Sequence, residues 1–272
     1  MNQGALNREE LEIYLDRVEV KAGQANLELL SRLMKQHLKT FSFSNISVLL
    51  GSNMSLCAGD LFERIVASYK GGYCYEQNGL FYHVLNQLGF EVECGLARVV
   101  FPHTTPEIDS PLTHRFNWVT LENQTYCVDV GFGQMTPRKP RPLSENNSQN
   151  LIKLNDREWL MRQQTQRGWQ PLYRMECCSY PLSDVEMGHF WSHRHPAAPF
   201  KNTLIASRIS DTHRVSLRNT ELWEVTDDTS PTISNIPNSK ALRECLKVKF
   251  GLVCSQEESG QLYRMALNWQ TK

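Results

Sequence analysis

The hydrophobic pattern of the chain changes its period at Gly89, and this change constrains the possible folds more than any other feature. Before Gly89, apolar residues recur at helical spacing, as Leu27, Leu30 and Met34 do. After it, β-branched and aromatic residues gather in short runs that are typical of strands. A chain that places its helices first and its strands later is predicted to have an α+β fold.

Four amphipathic segments before Gly89 are predicted to be helices. They cover residues 8–18, 25–38, 60–69 and the run that follows Cys74. The first should begin after Asn7. In the third, Asp60 with Glu63 three residues later resembles a capping box. Gly89 suits the C-terminal end of the fourth helix.

The segments after Gly89 are predicted to be mainly strands. Residues 90–100 form the first, and residues 115–133 are expected to form a hairpin with a polar turn at Glu122 to Gln124. A Pro- and Asn-rich loop is expected within residues 134–160. Further strand-like runs cover residues 158–164, 169–175, 202–210, 213–219 and 220–226. A helix over residues 239–251 is expected to close the chain.

Charge balance, apolar runs and cysteine usage limit the possible partners and the compartment. The chain has 272 residues, and 29 Lys and Arg balance 29 Asp and Glu, so no nucleic-acid partner is expected. The N-terminus lacks a signal-like pattern, and no apolar run is long enough to span a membrane. The eight cysteines form no CxxC pair, which favours reduced thiols in the cytoplasm over a disulfide framework.

Cys74 is the first candidate for chemistry. It follows Gly71, Gly72 and Tyr73 and precedes a predicted helix. A cysteine is a nucleophile only as the thiolate, and the N-terminus of a helix lowers a thiol's pKa. A buried cysteine that only fills space is the other interpretation, and the position alone does not decide between them.

His114 and Asp129 are candidates for the base and its orienting group. His114 begins the first strand of the predicted hairpin, and Asp129 ends the second. The hairpin would bring the two together, so that Asp129 could hold one ring nitrogen of His114 while the other faces Cys74. Taken alone, a histidine at a strand start and an aspartate before a turn are also ordinary structural residues.

A zinc site is the weaker alternative. His189, His193 and His195 are close in sequence, but zinc sites usually show a fuller set of spaced ligands. We interpret these histidines as loop and strand residues and expect no metal.

Several motifs together resemble the arylamine N-acetyltransferases, and the bacterial N-hydroxyarylamine O-acetyltransferases most. They are KGGYCYEQNGLFYHVLNQLGF, ARVV and HRFNWVTLENQTYCVDVGFG, in this order. Upstream, TFSFSNISVLLG is similar to the family's Pro-Phe-Glu-Asn-Leu segment. Downstream, MGHFWSHRHPAAPFKNTLIASR is similar to its segment ending in Ser-Pro-Phe. The resemblance runs from about residue 10 to about residue 250.

The resemblance implies a catalytic triad of Cys74, His114 and Asp129. It implies an N-terminal helical bundle (1–90), a central β-barrel-like region (91–200) and a C-terminal α/β lid (201–272), of which the first two parts look like the core of papain-like cysteine enzymes. It also implies acetyl-CoA as co-substrate, no permanently bound cofactor, and an arylamine, hydrazine or N-hydroxyarylamine as acceptor. The expected state is a monomer or a homodimer. The family's substrate and CoA positions map onto Phe43, Val99, Gly131, Phe132, Gly133 and Phe200.

Two residues depart from the family pattern. Lys70 stands where the family usually has Arg, and Ser44 stands where it usually has Glu. A bidentate ion pair between these positions cannot form, so Lys70 should find another partner or stay exposed. On this hypothesis, Lys70→Arg combined with Ser44→Glu should raise the melting temperature.

The departures also keep two alternative functions open. One is a weakly active or non-catalytic family member. The other is a different Cys-His-Asp acyl transferase or hydrolase with another acceptor.

Overall fold

The computed structural model describes residues 4–105, 109–144, 149–166, 168–226 and 230–268. Helices and strands both contribute to the fold, as predicted. The helices are α1 (Arg8–Arg17), α2 (Leu27–Thr40), α3 (Ile46–Leu49), α4 (Ala58–Phe62), α5 (Cys74–Gln87), α6 (Leu182–Arg194), α7 (Pro199–Asn202), α8 (Ser239–Phe250) and α9 (Gln256–Asn268). A π-helical turn (Glu63–Ala67) continues α4, and a 3-10 turn spans Gly133–Met135.

The strands form two sheets in which neighbouring strands are antiparallel. They are β1 (Phe43–Ser44), β2 (Glu91–Val99), β3 (Leu112–Leu121), β4 (Gln124–Val128), β5 (Arg141–Pro142), β6 (Leu151–Lys153), β7 (Glu158–Thr165), β8 (Gly168–Glu176), β9 (Ile205–Ile209), β10 (His213–Arg218), β11 (Glu221–Thr226) and β12 (Thr232–Asn235). One sheet has the order β1-β9-β10-β11-β12. The other has the order β5-β4-β3-β2-β8-β7-β6 and is barrel-like and nearly closed.

The first helix begins directly after Asn7, as predicted, and Asn7 caps it. Asn7 Oδ1 accepts a hydrogen bond from the Glu10 N–H at 2.9 Å, and the Glu10 carboxylate accepts one from the Asn7 N–H at 2.7 Å. Asn26 caps α2 through the Leu29 N–H. Helix α5 starts at Cys74 and ends before Gly89, whose φ of +81° is the left-handed conformation that favours glycine there.

The predicted hairpin is formed by β3 and β4. Glu122 and Asn123 make its two-residue turn with φ of 48° and 67°, as a tight turn between twisted strands requires. Asn117 pairs with Val128, so the end of β4 lies beside the first half of β3. The five later strand-like runs are confirmed as β7 to β11.

Three details differ from the sequence predictions. Helix α4 starts two residues before Asp60, its cap Cys57 makes no side-chain capping bond, and Glu63 opens the π-helical turn, so the predicted capping box is absent. Within residues 134–160, β5 and β6 interrupt the expected loop, and residues 145–148 lie outside the described chain. Helix α9 follows the helix that was expected to close the chain.

Helix α6 occupies residues that were interpreted as loop and strand. His189 and His193 lie on it, and His195 is its C-terminal cap. Met187 and Phe190 are largely exposed on this helix. Apolar residues on its solvent side obscure the helical period in the sequence.

Helix α5 lies in the largest hydrophobic core and packs against β3. Its residues Leu80, Phe81, Val84 and Leu85 are fully buried. Separate cores lie in the seven-stranded sheet and between the five-stranded sheet and helices α8 and α9. The first residue of α5 is therefore fixed by core packing on one side and by the sheet on the other. No helix in the described ranges is long and apolar enough to cross a membrane.

Candidate active site

Cys74 is the first residue of α5 and is only 3% exposed. Its thiol lies 3.7 Å from the carbonyl oxygen of Thr113, the residue before His114 on β3. The Glu76 carboxylate accepts a hydrogen bond from the Tyr73 N–H at 3.1 Å, which closes the first turn of the helix. The core thus holds the sulfur at the junction between α5 and the seven-stranded sheet.

Asp129 is buried just after β4 and accepts four hydrogen bonds. His114 Nε2 lies 2.8 Å and the Tyr173 hydroxyl 3.0 Å from Oδ2, while Asn78 Nδ2 lies 2.9 Å and the Gly131 N–H 2.8 Å from Oδ1. Burial raises the pKa of Asp129, but His114 and the donors to Oδ1 outweigh it and hold the pKa below its usual value. Asp129 is therefore a carboxylate at neutral pH, and the predicted pairing of His114 with Asp129 is confirmed.

Gly131 and Asn78 bring this pair to the start of α5. A Cβ on Gly131 would lie 2.9 Å from Cys74 Cα, so this close approach of the loop requires a glycine. Asn78, one turn after Cys74, donates to the Arg115 carbonyl at 2.7 Å and accepts from the Val130 N–H at 3.0 Å. The same helical turn thus anchors both β3 and the loop that carries Asp129.

The environment of Cys74 opposes ionisation of an isolated thiol. Burial raises the pKa of Cys74 to about 12, although the N–H groups of Arg115 and Tyr75 act in the opposite direction. The N–H of Tyr75 at the helix N-terminus lowers this pKa, as expected, but burial outweighs it. At neutral pH the sulfur keeps its proton unless a nearby base accepts it.

Aromatic rings surround His114. The ring of Phe132 meets it edge-on at 4.9 Å, and the ring of Tyr173 lies 4.7 Å away. Phe132 and Tyr173 also contact each other at 5.0 Å. Val99 pairs with Tyr173 across β2 and β8, which places this predicted pocket residue on the same side of the site.

The remaining predicted pocket residues form a second aromatic group. The rings of Phe43 and Phe200 lie 5.9 Å apart, and Phe200 also meets Tyr73 at 5.1 Å. Gly133 has a φ of +68°, and a Cβ there would touch the ring of Phe43 at 4.0 Å. Because Gly133 follows Phe132, these contacts join the two aromatic groups.

The ion pair that the family pattern suggested between positions 70 and 44 is absent, as predicted. Lys70 Nζ instead binds the carboxylate of Glu258 on α9, and both residues are half-buried. Ser44 is 1% exposed, and its hydroxyl accepts a hydrogen bond from the Ile46 N–H at 3.1 Å.

A different buried ion pair lies next to Cys74. Arg64 on the π-helical turn binds the Glu76 carboxylate and also the carbonyl of Asn53. The Glu76 side chain is 1% exposed, and its other oxygen holds the Tyr73 N–H. Because Glu76 is the third residue of the helix that starts at Cys74, the sequence could have identified it as a capping residue. Nothing in the sequence indicates that Arg64 is its partner.

The three histidines of the zinc alternative form no common ligand set, although the rings of His189 and His193 lie 4.4 Å apart. His189 binds the Tyr73 hydroxyl through Nδ1 and the Met54 carbonyl through Nε2. His193 Nδ1 donates to the His189 carbonyl, and His195 Nδ1 accepts from the Ala197 N–H. Among the residues that the structure describes, no group of three or more His, Cys, Asp or Glu could hold a metal ion.

Known sequences match the chain over most of its length. A family described as N-acetyltransferase matches residues 26–259. The arylamine N-acetyltransferase of Escherichia coli (strain K12) is 32% identical over 247 residues, which cover 88% of this chain and 87% of that protein. The arylamine N-acetyltransferase / N-hydroxyarylamine O-acetyltransferase of Salmonella typhimurium is 29% identical and covers 88% of this chain and 86% of that protein.

Solved structures agree with the sequence matches. The arylamine N-acetyltransferase of Mycobacterium marinum superposes with a TM-score of 0.88 at 28% identity, over 94% of this chain and 99% of that one. Its complex with CoA superposes with a TM-score of 0.86, also at 28% identity, over 94% of this chain and 99% of that one. The chain belongs to the arylamine N-acetyltransferase family.

Proposed function

We propose that this protein transfers an acetyl group from acetyl-CoA to arylamines, hydrazines or N-hydroxyarylamines through an acetyl-cysteine at Cys74. The hydrogen bond between His114 and Asp129, on a loop that packs against the Cys74 backbone, is the observation that carries the proposal. Family membership and the CoA complex of the Mycobacterium marinum protein support the choice of donor.

In the first half-reaction, Cys74 attacks the thioester. With Nε2 of His114 bound to Asp129, Nδ1 is the ring nitrogen that accepts the thiol proton. The sulfur then bonds to the carbonyl carbon, the bond from this carbon to the CoA sulfur breaks, and CoA leaves with the electron pair. The imidazolium returns its proton to the departing CoA, and the Asp129 carboxylate stabilises the imidazolium meanwhile.

In the second half-reaction, the acceptor replaces CoA at the same sulfur. The amine nitrogen, or the oxygen of an N-hydroxyl group, attacks the acetyl carbon while His114 takes the acceptor's proton. The carbon–sulfur bond breaks, and Cys74 recovers its proton from His114. Both substrates use one site in turn, so the kinetics should be ping-pong.

The two aromatic groups suit a flat acceptor. The predicted pocket residues with π faces are Phe43, Phe132 and Phe200. Apolar walls with a few polar groups are typical of small-molecule sites.

We also propose that the chain divides into residues 1–90, 91–200 and 201–272. The first two parts would have a papain-like arrangement, and the third part would form a lid.

Steady-state kinetics with acetyl-CoA and a panel of arylamines and hydrazines test the function. We expect CoA release that depends on the acceptor, with parallel double-reciprocal lines, and no activity in Cys74→Ala. CoA release that continues without any acceptor would indicate a hydrolase instead. No CoA release with any acceptor would indicate a protein without turnover.

A further inference from the structure

His189 on α6 is a buried histidine that the proposed acetyl transfer does not use. It is 5% exposed, and its ring lies 5.7 Å from the ring of Tyr73, the residue before Cys74. Both ring nitrogens are engaged, because Nε2 lies 2.5 Å from the Met54 carbonyl oxygen and Nδ1 binds the Tyr73 hydroxyl. A histidine that is held at both nitrogens can fix the side chain that it binds.

The hydrogen bonds of His189 have a fixed direction. A carbonyl oxygen can only accept, so Nε2 carries the hydrogen and donates it to Met54. Burial lowers the pKa of His189 to about 3, so the ring is neutral at pH 7. Nδ1 is therefore an acceptor, and the Tyr73 hydroxyl donates to it. Without Nδ1, this hydroxyl would turn to the carbonyl oxygen of residue 189, which lies 3.4 Å away, and the Tyr73 ring would move.

Gly188 lets α6 approach both sides of the nucleophile. A Cβ on Gly188 would collide with the Tyr75 hydroxyl and would lie 2.6 Å from the Leu112 carbonyl oxygen. The Tyr75 hydroxyl itself donates to this carbonyl at 3.2 Å. Residues 188 and 189 thus contact Tyr75 and Tyr73, which flank Cys74 in the sequence.

Tyr73 connects His189 with the aromatic group of Phe43 and Phe200. The rings of Tyr73 and Phe200 meet at 5.1 Å with an interplanar angle of 71°, and the rings of Phe200 and Phe43 lie 5.9 Å apart. Tyr73 is fully buried, whereas Phe200 is half-buried. The bond to His189 therefore fixes the ring on which Phe200 rests.

Other contacts hold the sulfur. The Glu76 carboxylate binds the Tyr73 N–H, so the backbone before Cys74 does not depend on the Tyr73 side chain. On the other side, Gly131 packs against the Cys74 backbone, and Asn78 anchors β3 to the same helical turn. A displaced Tyr73 ring should therefore disturb the aromatic wall more than the thiol.

We propose that His189 is a positioning residue for the acceptor, and that it acts through the Tyr73 hydroxyl to set the Phe200 wall against which a flat aromatic ring lies. This inference deepens the proposed function and rests on it, because it takes arylamines as acceptors. The bond between His189 and Tyr73 matters for acceptors that carry a ring. It does not matter for acetylation of Cys74 or for a hydrazine without a ring.

Kinetics with three substrates test the proposal. In a ping-pong reaction, kcat/KM for each substrate reports its own half-reaction. In His189→Leu, kcat/KM for aniline should fall about tenfold, while kcat/KM for methylhydrazine and for acetyl-CoA should stay within about twofold of the wild type. An equal fall for all three substrates would mean that His189 only supports the fold or Cys74, and it would overturn the proposal.

Two further variants separate the hydrogen bond from other effects of the substitution. His189→Asn places an amide oxygen near the position of Nδ1 and should recover kcat/KM for aniline to within about threefold of the wild type. Tyr73→Phe should reproduce the loss seen in His189→Leu, and the double variant should lose little more than either single variant. Losses that add in the double variant would show that His189 acts through another contact and would overturn the proposal.

The matched control is His195→Leu, which changes an exposed histidine at the end of the same helix and should leave all three values unchanged. If the wild type acetylates aniline and methylhydrazine and His189→Leu changes neither rate, this proposal fails and the proposed function stands. If the wild type transfers acetyl groups to no acceptor, the proposed function fails, and this proposal fails with it.

Discussion

Lys70 Nζ lies 3.0 Å from both carboxylate oxygens of Glu258, so the cation before the Gly-Gly-Tyr-Cys motif is paired with α9 and not with position 44. Ser44 is 1% exposed, and its Cβ lies so close to Gly71 that a Cβ there would be 2.8 Å away, so a longer side chain at position 44 would be buried. In the double substitution that the sequence hypothesis describes, a new glutamate at position 44 would compete with Glu258 for the cation at position 70.

Lys70→Arg combined with Ser44→Glu should destabilise the protein. A glutamate at position 44 would be buried, and it would lack a cation because the arginine at position 70 would keep Glu258 as its partner. An unpaired buried carboxylate costs about 3 kcal/mol or more. Urea unfolding would measure this loss, and Ser44→Ala serves as the control with only a small change. A melting temperature above that of the wild type would contradict our interpretation.

Breaking the Arg64–Glu76 pair should cost both stability and activity. Arg64→Gln leaves Glu76 buried without its cation, for a loss of about 3 kcal/mol in the free energy of unfolding, and it loosens the turn that begins with Cys74. Glu76→Gln should lose less stability than Arg64→Gln, since an amide oxygen can still accept a hydrogen bond from the Tyr73 N–H. Chemical denaturation together with acetyl-transfer rates measures both effects.

The exposed pair between Arg8 and Glu12 provides the matched control. Both side chains are largely in solvent, so Glu12→Gln should leave stability and rate unchanged. An equal effect of Glu12→Gln and Arg64→Gln would show that the buried pair has no special role.

Arg115→Met should stabilise the protein. The guanidinium is fully buried, and no described carboxylate forms an ion pair with it. It lies over the Tyr82 ring and beside the Cys94 thiol, whose pKa burial raises, so that thiol offers no anion. Removing the charge should raise the free energy of unfolding by about 1–3 kcal/mol. Arg115→Lys keeps the charge and should not raise it. Thermal and urea unfolding decide between these outcomes, and a destabilised Arg115→Met would reveal a partner for the charge.

Alkylation of Cys74 near neutral pH should depend on His114. Burial, the largest cause, and the nearby carboxylates of Asp129 and Glu76 raise the thiol's pKa to about 12. The reactive thiolate therefore forms only if the imidazole accepts the proton. Iodoacetamide should modify Cys74 rapidly in the wild type and at least about tenfold more slowly in His114→Asn. Peptide mapping separates Cys74 from exposed Cys57, whose rate should be equal in both proteins. Equal Cys74 rates would remove His114 from the role of base.

Local signals in the sequence predicted most of the elements that hold the site. Asn7 marks a helix start, and Glu122 with Asn123 makes the turn that brings Asp129 to His114. These features depend only on residues that are close together in the chain, so they can be predicted from the sequence.

Long-range pairings were not predictable in the same way. Tyr173 donates a hydrogen bond to Asp129 only because β8 pairs with β2. Lys70 binds Glu258, which lies 188 positions later in the chain. The net pKa shift of Cys74 depends on how completely the fold buries it, which the residues around the motif do not reveal. Helix α6 was not predicted because the exposed apolar side chains of Met187 and Phe190 obscure the helical spacing of its buried residues.

Intact-mass measurement after incubation with acetyl-CoA alone tests the central claim most directly. The wild type should gain one acetyl group, peptide mapping should place it on Cys74, and adding an arylamine should remove it. Cys74→Ala should gain none, and His114→Asn should gain it far more slowly. A wild-type protein that stays unmodified, or an acetyl group on another residue, would contradict the account.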